Sequence, residues 1–70
     1  MRVQSRKISK YLTEIFINGE VQGVVTQATY GFWYAENTTG DKFERCRSRE
    51  SAIDFIKDWW NPNWRNIVKE

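Results

Sequence analysis

The chain has no histidine, one cysteine and one proline among its 70 residues. Without histidine there is no imidazole base for a His-dependent hydrolase, and most zinc sites lose their usual ligands. A lone Cys46 excludes a disulfide within the chain, and it fits a reducing, cytoplasmic setting. No apolar run approaches the roughly 18–20 residues that a membrane helix needs. Nor does a hydrophobic core follow the early basic residues, as a secretory signal requires. The expectation is a cytoplasmic protein, neither exported nor membrane-bound.

Strong charge of either sign is also missing. Eleven Lys and Arg against nine Asp and Glu leave a net +2, too little to indicate nucleic acid or a membrane surface unaided. Seven of the basic groups fall in residues 36–70, beside seven acidic ones. The short N-terminal run of Arg2, Arg6, Lys7 and Lys10 reads as a flexible, solvated start over residues 1–7. Aromatic side chains, in contrast, are abundant: four Trp, three Tyr and four Phe. At this length the chain is one domain with a thin core, burying about 60% of its unfolded surface.

The clearest local signal is Asn18-Gly19 between two β-branched segments. A two-residue hairpin turn needs positive φ at both positions, which Asn-Gly tolerates best. Strands are therefore expected over 10–17 and 20–28. Their simplest register sets Phe16 opposite Val21 and Leu12 opposite Val25, with these four on one face and Thr13, Ile15 and Ile17 on the other. That second face is not polar, so either something covers it or the register is bulged. A second hairpin, 30–36 with 41–47, turns through Asn37-Thr38-Thr39-Gly40. A four-residue loop pairs Tyr34 with Phe43 and Phe32 with Arg45; a three-residue loop with a bulge pairs Ala35 with Phe43.

Ser48 is suited to cap a helix over 49–60, with Glu50 in its first turn. Projected at 100° per residue, Ala52, Ile53, Phe55, Ile56, Trp59 and Trp60 fill an arc of about 160°. Glu50, Asp54, Lys57 and Asp58 fill the opposite side. Pro62 stops the helix near Trp60 by disfavouring helical geometry at Asn61. The expected fold is α+β: a four-stranded antiparallel meander of two hairpins, one C-terminal amphipathic helix on one face, and a short aromatic tail over 61–70.

No catalytic set emerges. Cys46 has no activating base, and its neighbours Arg45 and Arg47 point to the opposite face of a strand. The carboxylates of Glu50, Asp54 and Asp58 share a helix face and read as its wet side, while the four glycines lack phosphate-loop spacing. No enzyme, cofactor or metal is expected. Binding fits better. Arg45 and Arg47 share a strand face, which Arg49 joins if the chain stays extended, and in one register that face also carries Tyr30, Phe32 and Tyr34. Such a surface suits a protein partner, for Trp, Tyr and Arg dominate binding hot spots. It equally suits stacked single-stranded nucleic acid, the alternative reading. Trp59, Trp60 and Trp64 crowd a helix stop, either plugging the sheet end or leaving Trp60 and Trp64 as an anchor for a partner or a homodimer.

As an architecture, strand, Asn18-Gly19, strand, strand, strand and helix with a short extension resembles several small phage-encoded inhibitors, including some anti-CRISPR proteins. The resemblance implies a non-enzymatic adaptor or inhibitor that blocks the surface of another protein.

Overall fold

A computed structural model describes residues 1–28 and 31–64. Five strands form one antiparallel sheet in chain order, followed by one helix. They are β1 (Val3–Lys7), β2 (Leu12–Ile17), β3 (Glu20–Gln27), β4 (Trp33–Asn37), β5 (Phe43–Cys46) and α1 (Arg49–Trp60). The α+β class is as expected, but the count of four strands is corrected to five.

The additional strand is β1, where a flexible start was expected. Its basic side chains do not hinder pairing, because a strand at the edge of a sheet keeps them in water. Val3 lies opposite Ile17 and Lys7 opposite Thr13. The far end is tied to the hairpin turn: Asn18 N–H donates to Arg2 O at 2.8 Å, and Arg2 N–H donates to Asn18 Oδ1 at 3.0 Å. That turn has φ of 54° at Asn18 and 86° at Gly19, as the dipeptide demands.

Phe16 does lie opposite Val21, but one step further on Ile15 lies opposite Gly23. The skipped residue, Gln22, is a β-bulge. From there the register of β3 moves by one, so Leu12 faces Thr26 and Thr13 faces Val25. Val25 is thereby carried from the face expected for it to the opposite one, where it is buried beside Ile15. The bulge lets Ile15, Ile17 and Val25 share one face. The second hairpin takes neither expected register: Glu36 pairs with Phe43, Tyr34 with Arg45 and Trp33 with Cys46.

α1 begins where the cap is expected, with Ser51 N–H donating to Ser48 Oγ at 3.0 Å. It ends at Asn61, whose extended backbone (φ −161°) precedes Pro62. Ala52 and Ile56 are fully buried, meeting Ile15, Ile17, Val25, Ala35 and Cys46. Val3, Trp33, Ile53, Phe55, Trp59 and Trp60 pack around this core and stay partly exposed. Helix and sheet come close at Gly23. A Cβ there would sit 2.6 Å from the carbonyl oxygen of Glu36 and 3.1 Å from two carbons of Ile56.

Two substitutions probe these constraints. Gly19→Val puts a β-branched residue at positive φ and is expected to cost roughly 1–3 kcal/mol. Gly23→Ala drives a methyl group into backbone and helix, and overpacking of this kind costs about 1–3 kcal/mol. Urea unfolding of both variants measures the losses.

Candidate functional site

With α1 on one face, the other face of the sheet is left open among the described residues. Three rows of side chains cross it, following the strand pairing. Gln4, Phe16 and Val21 make the first; Arg6, Glu14, Val24, Glu36 and Phe43 the second; Leu12, Thr26, Tyr34 and Arg45 the third. Phe43 is 58% exposed and Val21 39%, while Leu12, Phe16, Val24 and Tyr34 are half-buried. The rings of Tyr34 and Phe43 stack with centroids 5.0 Å apart, a diagonal contact across β4 and β5. Phe32, just before β4, joins them through Arg45, whose guanidinium lies 4.7 Å from its ring centre. Arg6 lies over Phe16 and pairs with Glu14 at 2.8 Å.

The structure thus brings together Phe32, Tyr34 and Arg45 from the expected set. Tyr30 lies outside the described residues. Arg47 is exposed just beyond β5. Arg49 does not join this face, because the chain leaves the strand at Cys46 and turns into α1. The Arg49 guanidinium instead donates to Ser5 Oγ at 3.4 Å, on the helix side of the sheet. Trp60 packs on the core and stays partly exposed, but Trp64 is buried at 9% exposure. Its indole N–H donates to Asp58, and Lys57 lies 4.5 Å from its ring centre. The turn at Asn61 folds Trp64 back onto the helix, so of the two expected arrangements its indole takes the covered one and is not left exposed.

Sequence reasoning passed over Phe16, Val21, Val24 and Phe43 as surface residues. For Phe16 and Val21 the signal was available, since their opposition follows from the Asn-Gly turn. Phe43 was legible too, since it lies two residues before Arg45 on the same strand face and the four-residue-loop register already set it opposite Tyr34.

The remaining chemistry is quiet. Burial pushes the Cys46 thiol up from its ordinary pKa, the Glu44 carboxylate adds to the effect, and the group stays a thiol at neutral pH. No cluster of three metal-ligating side chains occurs among the described residues. No helix among them is long and apolar enough to cross a membrane. Lys57 pairs with Asp54 at 3.6 Å on the acidic side of α1.

The loop between β4 and β5 is ordered by Asp41. Its carboxylate accepts from the Thr39 hydroxyl and from Asn37 Nδ2, the latter at 2.6 Å. No family model matches the sequence, and no curated protein or solved structure matches the chain.

The hydrogen bonds from Thr39, then Asn37, hold Asp41 below the ordinary carboxylate pKa. A lowered native pKa means that stabilisation is complete above the unfolded value and is lost as pH falls through the native one. A carbon-detected NMR titration is expected to show Asp41 with a midpoint below the ordinary carboxylate value, and Thr39→Ala to raise it.

Proposed function

We propose that this protein is a small non-enzymatic binding module, an adaptor or inhibitor, that docks another protein on its open sheet face. The observation that carries the reading is the row structure of that face: Phe16, Val21, Val24, Tyr34 and Phe43 form an apolar field with Phe32 and Arg45 at its margin. An exposed apolar field rimmed by polar groups is the usual mark of a protein interface. Aromatic rings and an arginine held by stacking supply rigid contact area at small entropic cost.

Charge favours a protein over a nucleic acid. Glu14 and Glu36 stand within the field, and Arg6 is engaged by Glu14. A phosphate backbone would meet carboxylates where it needs cations. Leu12, Val21 and Val24 offer aliphatic contact in place of stacking planes.

Affinity capture from host lysate, with quantitative mass spectrometry, tests the proposal. A partner held by the wild type is expected to be lost with Phe43→Asp and weakened roughly tenfold or more by Arg45→Ala, the range seen for hot-spot truncation. Retention of that partner by both variants overturns the assignment of this face. Oligonucleotide binding that falls steeply with salt and depends on Arg45 supports the nucleic-acid alternative instead.

A further inference from the structure

A cleft of about 430 Å³ lies on the other side of the sheet, where α1 begins. It is lined by Ser5 and Lys7 of β1, Lys10 and Tyr11 of the following loop, Thr13, Gln27, Trp33 and Arg49. The register explains why they meet. Ser5, Lys7, Thr13, Gln27 and Trp33 all project from the helix side of the sheet, and α1 starts beside them with Arg49.

Three cations therefore converge on one cleft, and the described residues lining it include no carboxylate. The ion pairs found among the described residues, Arg6 with Glu14 and Lys57 with Asp54, involve none of these three cations. Arg49 donates to Ser5 Oγ, Lys10 lies 5.5 Å from the Tyr11 ring centre, and neither contact neutralises charge. Gathering like charges without a counter-charge is unfavourable, and an anion bearing more than one charge relieves it. The other lining groups select among anions. Ser5 and Thr13 hydroxyls and the Gln27 amide can bond to phosphoryl oxygens, and Arg49 can engage them with two N–H groups at once. Trp33 adds a half-buried indole, a surface on which a planar ring can stack. The volume lies within the range of small-molecule sites.

We infer that this cleft binds a nucleotide, its phosphates against Lys7, Lys10 and Arg49 and its base against Trp33. The site is independent of the open face proposed for protein docking, since the sheet separates the two.

Calorimetry at low salt with ADP, pyrophosphate and adenosine tests the inference, alongside ¹⁵N-resolved NMR of the Trp33 indole. ADP is expected to bind, to weaken as salt rises, and to move the Trp33 indole signal. Pyrophosphate is expected to bind more weakly than ADP. Arg49→Gln should weaken ADP roughly tenfold or more, the loss of a charge-assisted contact. Lys10→Gln, in an exposed loop, should weaken it in the same direction with an unchanged melting temperature, so the test survives any damage to the helix start. Lys42→Gln removes one charge at the far end of the sheet and serves as the control, with affinity retained. Absence of ADP binding at roughly 10 mM, weaker than a built site of this size allows, overturns the inference. So do an affinity that Arg49→Gln and Lys10→Gln leave intact, and signal changes confined to Phe32, Tyr34 and Phe43. Pyrophosphate binding as tightly as ADP overturns the role given to Trp33.

Discussion

The seating of Ile56 on Gly23 sets the spacing between helix and sheet. Gly23 lies opposite Ile15 on β2 and Asn37 on β4, near the middle of the sheet. Because it has no side chain, Ile56 descends until its carbons would be 3.1 Å from a Cβ at that position. At that depth Ile15, Ile17, Val25 and Ala35 cluster with it, and Ala52 is fully buried in the same cluster. Small residues at Ala35 and Ala52 are part of the same arrangement, since a larger side chain at either would lift the helix. A 70-residue chain has little core to spare, and this one concentrates its fully buried side chains under a single helix.

The bulge at Gln22 is what delivers Gly23 and Val25 to that contact. Without it, strict alternation from the Asn-Gly turn would send Gly23 and Val25 to the outer face and set Gln22, a larger side chain, opposite Ile15 where Ile56 descends. Phe16 and Val21, between the turn and the bulge, lie outside in either register, and the second hairpin adds Tyr34, Phe43 and Arg45 to them. One face is thus spent on stability, with the helix pressed close. The other keeps its apolar and aromatic side chains available for contact. Where α1 enters, the backbone reverses after Cys46 and directs Arg49 away from Arg45, so two arginines four residues apart serve opposite sides of the sheet.

The aromatic surplus divides in a similar way. Trp33, Trp59, Trp60 and Trp64 all lie on the helix side, sealing the edges of a core made mainly of aliphatic residues. The phenylalanines of the sheet and Tyr34 lie on the open side. Large indoles cover the rim because their area compensates for a thin core, and the polar indole N–H of Trp64 finds a partner in Asp58.

Local chemistry alone determined a good part of this fold. The Asn18-Gly19 turn, the Ser48 cap, the apolar arc of α1 and its arrest before Pro62 were all legible, because each depends on the φ preferences and hydrogen-bonding groups of a few adjacent residues. So was the grouping of Phe32, Tyr34 and Arg45, which alternation on neighbouring strands brings together. Tertiary structure decided the rest. That residues 2–7 pair with β2 depends on a partner some ten residues away and on nothing in their own basic composition. The bulge has no distinctive local signature beyond a glycine; it is selected because it sets Gly23 rather than Gln22 beneath Ile56. The convergence of Lys7 and Lys10 with Arg49 likewise required the helix to be docked, since residues 39 or more positions apart meet only after the sheet has chosen which face to cover.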